Sequence, residues 1–267
     1  MCNDQDGSCV KMECPSVDPG ACVTPLTDRE LLKRMDRIIT EGEQGHYAIF
    51  FEGNLLSRLE SNPTLREAII SASFVMPDGI APALLASWTI HRRVARVPGP
   101  QFMPLACEYG VSRGWRHFFY GGTPEVVERV ARRMQERFPG LIVAGVHAPP
   151  FRPLTAIEDA EVCARIEASA TDVLWVALGG PKQEIWMYAH HRRLRVPMML
   201  GVGAAFDFIG LTQPRAPRFL QQLGCEWLFR MLTGGPRLFR RNLAAAVTTF
   251  RILARAYVRS LTTRHRR

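Results

Sequence analysis

The sequence predicts an α/β protein, in which a mainly parallel sheet is flanked by helices and followed by a basic, helical C-terminal appendage. Three observations lead to this prediction. From about Thr27 onwards, short apolar runs alternate with stretches of helical periodicity. After Gly210 the helical pattern continues without any further strand. The excess positive charge of the chain lies in that last part.

Six apolar runs are the predicted strands, and amphipathic stretches between them are predicted helices. Strands that alternate with helices of about 10–15 residues are typical of a Rossmann-like, mainly parallel sheet. The predicted strands are residues 46–51, 73–76, 117–120, 141–146, 173–178 and 198–202. The clearest predicted helices are residues 28–43, 124–138, 155–169 and 182–194.

Composition divides the chain into three parts. Residues 1–26 contain four of the seven cysteines but no CxxC pair, which favours a flexible extension over a zinc knuckle. Residues 27–213 are the predicted α/β catalytic domain, and residues 214–267 are the predicted helical appendage. The start of the chain lacks the pattern of a secretory signal, and no apolar run reaches the roughly 18 residues of a membrane span. We therefore expect a cytoplasmic protein.

The formal net charge of +9 lies entirely in the appendage. Residues 226–267 contain ten arginines and one acidic residue, whereas the basic and acidic groups of residues 1–225 cancel. A local basic excess indicates an anionic partner. Nucleic acid, an acidic membrane surface and a phosphate-rich substrate all fit that description.

The appendage contains a candidate amphipathic helix. At about 100° per residue, one stripe holds its large apolar side chains: Leu243, Val247, Phe250, Leu253, Tyr257 and Leu261. The arginines cluster about a third of a turn or more away. This separation is typical of an interfacial membrane helix, and equally of a terminal helix that packs its stripe on the core. Because the aromatic residues are not interleaved with the arginines, we expect no nucleic-acid partner.

Loops at the ends of the predicted strands hold the candidate functional residues, since open α/β sheets bind ligands beyond the carboxyl ends of their strands. Asp78 follows the second strand, where a carboxylate can act as a general base or simply cap a turn or helix. Gly121 and Gly122 precede a Thr-Pro helix start, where backbone N–H groups can bind a phosphate or take part in ordinary capping.

Two further loops follow the fifth and sixth strands. Lys182 and Gln183 stand at a helix start, where they can contact a diphosphate or a sugar hydroxyl, or remain solvent-exposed. Asp207 and Arg215 can face a ligand or pair with each other in a buried salt bridge. The Asp-x-Asp sequence of the chain lies at residues 4–6, far from any strand end. We therefore predict no metal site and no cofactor.

Taken in chain order, these segments resemble the WecG/TagA/CpsF glycosyltransferases (glycosyltransferase family 26). The resemblance extends roughly over residues 27–241. It rests on residues 77–79, 99–102, 119–122, 178–184, 201–207, 215–217, 226–230 and 236–241.

The resemblance implies an inverting, metal-independent transfer of a hexose from a UDP-sugar to a polyprenyl-diphosphate-linked saccharide, in the synthesis of a cell-surface polysaccharide. It implies that Asp78 is the catalytic base and that Asn54 and Gln183 contact the substrates. Arginines of the appendage would stabilise the departing diphosphate: Arg230, Arg237 and Arg240. The hexose stays open among N-acetylmannosamine, its uronate and glucose.

The resemblance also implies that the appendage docks on the inner face of the bacterial cytoplasmic membrane. We assign this contact with an acidic membrane surface to Arg251, Arg255 and Arg259. The expected partners are then the UDP-sugar donor, the polyprenyl-diphosphate-linked acceptor and the membrane, with a homo-oligomer left open.

Three departures from the family pattern leave the sugar undecided. Glu52 stands where the family often has Thr, Gln101 replaces a common Asp or Asn, and residues 147–151 replace a frequent His-Gly-Tyr-Phe. An alternative is a catalytically inactive scaffold that uses the appendage to bind a membrane or a protein partner.

Overall fold

Six parallel strands form the centre of the fold in the computed structural model, which describes residues 20–211, residue 217 and residues 235–264. The order of the strands in the sheet is β2-β1-β6-β5-β3-β4. The strands are β1 (His46–Phe51), β2 (Phe74–Pro77), β3 (Arg116–Gly121), β4 (Ile142–His147), β5 (Val173–Ala177) and β6 (Met198–Gly201). All six predicted strands are confirmed, with ends that differ by no more than one residue.

Helices precede, connect and follow these strands. They are α1 (Asp28–Thr40), α2 (Gly53–Leu56), α3 (Pro63–Ser71), α4 (Ile80–Thr89), α5 (Gly99–Val111), α6 (Pro124–Arg137), α7 (Ala156–Ala168), α8 (Lys182–His190), α9 (Ala205–Ile209) and α10 (Gly235–Arg264). The four clearest predicted helices are confirmed as α1, α6, α7 and α8, although α1 and α8 end three and four residues earlier than expected.

Side-chain caps set the beginnings of several helices. Thr27 accepts a hydrogen bond from the backbone N–H of Glu30, whose carboxylate in turn accepts one from the backbone N–H of Thr27. Thr155 and Glu158 repeat this arrangement at the start of α7. Such reciprocal caps satisfy backbone donors that the first helical turn would otherwise leave without partners.

The sheet is covered by helices on both faces, which confirms the predicted Rossmann-like architecture. In β1, Ala48 and Phe50 point to a core formed with α1, α5 and α6, whereas Tyr47, Ile49 and Phe51 point to a second core formed with α3, α7 and α8. Burial on both sides explains why the strands are continuous apolar runs in the sequence.

The ends of the described chain are tied to one edge of the sheet. Before α1, the backbone N–H of Thr24 donates to Val75 O at 2.8 Å, and Val75 N–H donates to the Thr24 hydroxyl at 2.9 Å. At the other end, α10 packs on α2 and α4. Both ends of the described chain therefore pack beside β1 and β2.

The face of α10 that packs against the body differs from the predicted apolar stripe. Its buried or half-buried side chains are Thr249, Ile252, Leu253 and Ala256. Of the predicted stripe, Phe250 is 71% exposed, and Leu243 and Val247 are also exposed. The packing face thus shares Leu253 with the predicted stripe, and the helix leaves the rest of that stripe, as far as its side chains are described, partly or largely on the surface. No helix in the described ranges is both long enough and apolar enough to span a membrane.

Candidate active site

The carboxyl ends of all six strands open into one cleft of about 1840 Å³. Loops after every strand and one side of α10 line this cleft, at the place that the strand-end rule predicts. Pockets for a single small ligand are commonly about 300–1000 Å³. The cleft is therefore large enough for two substrates side by side.

Asp78 lies in this cleft directly after β2. Its position is set by the sheet, since its backbone N–H donates to Phe51 O at 3.0 Å. Its Oδ2 accepts a hydrogen bond of 3.3 Å from the backbone N–H of Gly99, in the first turn of α5. The positive end of a helix dipole favours a negative charge nearby. Asp78 is thus placed as a carboxylate that can accept a proton from a bound ligand.

Asn54 follows β1, the strand that pairs with β2, and lines the same cleft as Asp78. Phe51 pairs with Pro77, so the residues after β1 and β2 emerge side by side, and both Asn54 and Asp78 line the cleft. The Thr249 hydroxyl of α10 donates to Gly53 O at 3.1 Å. The C-terminal helix is therefore anchored one residue away from Asn54.

The glycines after β3 have a mainly structural role. Gly121 has a φ of +125°, and a Cβ on it would lie 2.3 Å from Ala177 O, so no larger residue fits. The N–H of Gly122, which the sequence suggested as a phosphate donor, instead donates to Ala177 O at 3.2 Å. Gly122 and Thr123 line the cleft, but Gly121 does not.

The start of α8 contributes Lys182, Gln183 and Glu184 to the cleft wall. Lys182 is exposed, and its Nζ lies 5.6 Å from the centre of the Phe151 ring. Gln183 is only 5% exposed, which excludes the expectation of a solvent-exposed side chain at this position. Its Nε2 donates to Gly201 O at 2.9 Å and to Glu184 Oε1 at 2.8 Å.

Glu184 is a cleft residue that sequence reasoning missed. Its side chain is fully buried, and this burial raises its pKa to about 7, against an opposing hydrogen bond from Gln183. Glu52 also raises the pKa of Glu184, and Arg58 lowers it. In the sequence, an acidic residue in the first turn of a helix looks like an exposed partner of the helix dipole, so no signal distinguishes it.

Asp159 and His190 line the cleft as a hydrogen-bonded pair that was also missed. His190 Nε2 lies 2.9 Å from Asp159 Oδ1, and the His190 ring stacks on Trp186 at 4.2 Å. With Cys163 these residues form a group that could offer three metal ligands within 4.8 Å. Burial raises the pKa of the Cys163 thiol, however, and Asp159 is already paired with His190 and Arg193. The group therefore fits a hydrogen-bonded cluster better than a metal centre.

Cationic side chains line several walls of the cleft. Among the described residues they include Arg96, Arg152, Lys182 and Arg251. Arg96 and Arg152 were not predicted, because no strand-end motif marks them. Arg251 was assigned to the membrane, yet it lies on the wall of the cleft, whereas Arg255 is exposed on the helix surface. Positive charge is thus available in the cleft without the rest of the appendage.

The remaining predicted residues fall into two groups. Asp207, on α9, is half-buried and lines the cleft. Several arginines lie wholly or by their side chains outside the described part of the structure. They are Arg215 and Arg230, and on α10 also Arg237, Arg240 and Arg259.

Comparison with known proteins identifies the family of this chain. The model of the glycosyl transferase WecG/TagA/CpsF family matches residues 19–266. A Bacillus spizizenii protein named N-acetylglucosaminyldiphosphoundecaprenol N-acetyl-beta-D-mannosaminyltransferase is 29% identical over 183 residues, which are 68% of this chain and 69% of that protein. A Staphylococcus aureus protein of the same name is 30% identical over 175 residues, 65% of this chain and 66% of that protein.

The chain thus spans about two thirds of the length of these relatives. The family match is wider, since it includes the sheet, the residues that line the cleft and the whole of α10. The protein is therefore a member of the WecG/TagA/CpsF family of glycosyl transferases.

Proposed function

We propose that this protein transfers a hexose from a UDP-sugar to a polyprenyl-diphosphate-linked saccharide, with inversion and without a metal ion. The observation that carries the proposal is Asp78 in the strand-end cleft, held at the N-terminus of α5. The names of the relatives, which act on an undecaprenyl-diphosphate-linked sugar, make N-acetylmannosamine the first donor to test. Its uronate and glucose are the alternatives.

In this proposal Asp78 removes the proton of an acceptor hydroxyl as that oxygen attacks the anomeric carbon of the donor. The bond from the anomeric carbon to the diphosphate breaks on the opposite face, and the electron pair leaves with UDP. Asn54 lines the same cleft as Asp78 and helps to orient the reacting groups. A carboxylate placed for this proton transfer typically contributes about 10²–10⁴-fold to a rate.

The leaving diphosphate requires positive charge, which arginine and lysine side chains can provide. Arg96, Lys182 and Arg251 line the cleft and are suited to this purpose. As the family resemblance suggests, we also assign the stabilisation of the leaving diphosphate to three arginines of the appendage (residues 214–267): Arg230, Arg237 and Arg240. Arg215, Asp207 and Gly122 complete the proposed donor site.

We place the membrane contact at the mouth of the cleft. Ile80 and Leu84 on α4, and Val247 and Phe250 on α10, are exposed apolar side chains on two helices that pack together. Three of them, Ile80, Val247 and Phe250, also line the cleft. An apolar surface beside arginines is typical of an interfacial helix on anionic lipid. Such docking on the inner face of the cytoplasmic membrane would bring the cleft to a lipid-linked acceptor.

A donor panel tests the proposed reaction. The intact chain is incubated with short-chain polyprenyl diphosphates that carry N-acetylglucosamine, and with each of several UDP-hexoses, and the products are identified by mass. We expect one added hexose, and we expect the transfer to continue in EDTA. Strict dependence on added Mg²⁺ would contradict the metal-independent reaction. The absence of product with every donor and acceptor would favour the inactive scaffold.

A further inference from the structure

Two neighbouring side chains in the cleft wall each have one buried oxygen without a hydrogen-bond partner. In the described structure these oxygens are Gln183 Oε1 and Glu184 Oε2. Both residues line the cleft, although their side chains are almost completely buried. Buried polar atoms rarely lack partners in folded proteins, and those that do call for a ligand or water that satisfies them.

The orientation of the Gln183 amide follows from its two partners. Gly201 O can only accept a hydrogen bond, so the atom 2.9 Å away from it is the amide nitrogen. The second hydrogen of that nitrogen goes to Glu184 Oε1 at 2.8 Å. Gln183 Oε1 therefore points away from both, towards Gly203, where a Cβ would lie 3.2 Å from it. Gly203 is itself a cleft residue, so this oxygen is an acceptor at the strand-end wall.

Glu184 is in a position to supply the matching donor. Burial raises its pKa to about 7, so much of this carboxyl is neutral at neutral pH. The charged groups that act on it are Glu52 and Arg58, whose effects on its pKa have opposite signs. A neutral carboxyl has one O–H donor. Because Oε1 accepts from Gln183, the hydrogen belongs on Oε2, the atom that lacks a partner.

We propose that Gln183 and neutral Glu184 form a pair that recognises a hydroxyl-bearing sugar, in which Gln183 Oε1 accepts a hydrogen bond and Glu184 Oε2 donates one. Glu184 also positions Gln183 by holding its amide nitrogen. A sugar presents hydroxyl groups that both donate and accept, so one class of ligand satisfies both atoms. The identity of the ligand rests on the proposed function, whereas the neutral state of Glu184 does not.

The pair predicts a dependence on pH. When Glu184 loses its proton, it can still accept from Gln183, but it no longer donates to the sugar. We therefore expect kcat/KM for the UDP-sugar to fall as the pH rises through about 7. The variant Glu184→Gln keeps one acceptor and one donor but cannot ionise, so its kcat/KM should stay level over the same range.

The first arm of the test is an infrared titration that needs no substrate. Between pH 6 and pH 8 the full chain should lose the carbonyl stretch of a protonated carboxyl. The variant Glu184→Gln should show no such loss, and the control Glu128→Gln, which changes an exposed glutamate on α6, should behave as the wild type does. The absence of a Glu184-dependent signal would overturn the neutral pair, whether or not the chain transfers sugar.

The second arm measures recognition. At pH 6.5, Glu184→Gln should retain kcat/KM within a few-fold of the wild type, while Glu184→Ala should lose about 10-fold, the equivalent of one lost hydrogen bond. If kcat/KM depends on pH in the same way in the wild type and in Glu184→Gln, the proposed hydrogen bond from neutral Glu184 to the sugar is overturned. If even the wild type transfers no sugar, the proposed function fails. In that case the affinity for the UDP-sugar is measured against pH in the wild type and in Glu184→Gln, and equal pH dependence in the two would overturn the proposed pair.

Discussion

At the residue scale, the cleft combines two carboxyl groups in opposite surroundings. Asp78 lies at a helix N-terminus, where an anion is favoured, and accepts a backbone hydrogen bond. Glu184 is buried, which raises its pKa to about 7. Two such carboxyl groups can perform different tasks at one pH, since one is available as a base while the other donates.

The burial of Glu184 has a consequence for stability that is independent of catalysis. Its pKa rises from 4.5 to about 7 on folding, so the unfolded chain ionises more readily than the folded one. Below pH 4.5 the burial of Glu184 therefore costs the folded state no ionisation energy. As the pH rises from 4.5 to about 7, the free energy of unfolding falls because of this group. The full penalty above pH 7 is on the order of 3 kcal/mol.

We therefore expect Glu184→Gln to gain stability relative to the wild type as the pH increases from 5 to 8. Urea unfolding at both pH values measures this difference. The exposed variant Glu128→Gln provides the baseline. A stability difference between wild type and Glu184→Gln that is the same at pH 5 and pH 8 would contradict a raised pKa for Glu184.

At the element scale, α10 connects the cleft to a surface that could meet lipid. Its buried Thr249 donates to Gly53 O beside Asn54, and the Tyr257 ring lies 5.5 Å from the Trp88 ring of α4. Phe250, one residue after Thr249 and on the same stripe as Tyr257, is 71% exposed. One helix thus contacts the active-site edge of the sheet with one face and presents apolar surface with another.

We expect Phe250→Asp to weaken binding to vesicles of phosphatidylglycerol and phosphatidylcholine by about tenfold or more, because an aromatic ring is worth about 1.5–3 kcal/mol when it leaves water. Cosedimentation measures the bound fraction. Ile157→Asp is the matched control, since Ile157 is 73% exposed and stands on α7, whereas α10 packs on α2 and α4. Equal binding of Phe250→Asp and the wild type would exclude this surface as the docking site.

Elements differ in how clearly the sequence indicates them. Strands buried on both faces are continuous apolar runs, so their ends could be predicted to within one residue. Helices α4 and α5 were not singled out, because they carry few charged side chains and lack a distinct polar face. The packing face of α10 was predicted only in part. Leu253 of the apolar stripe packs against the body, but Ala256 also makes contacts there, and a helical wheel that gives most weight to large side chains does not mark it.

At the scale of the whole molecule, one side of α10 borders the cleft. Arg251 on α10 lines the cleft, into which the carboxyl ends of the strands open. The strand-end rule predicted where the cleft would be, and thus the neighbourhood of Asp78, Asn54 and Gln183. It could not predict Glu184 or the pair of Asp159 and His190, because their burial arises only from contacts between helices far apart in the sequence.

Asp78 is the proposed base of the sugar transfer, and its substitution tests the proposed function most directly. The direct measurement is kcat for the donor and acceptor pair found in the panel, compared between the wild type, Asp78→Asn and the control Asp28→Asn, which changes a half-buried aspartate at the start of α1. We expect Asp78→Asn to lose about 10²–10⁴-fold in kcat, with UDP-sugar affinity and the unfolding midpoint nearly unchanged. Asp28→Asn should retain full activity. Wild-type turnover by a folded Asp78→Asn variant would contradict the account.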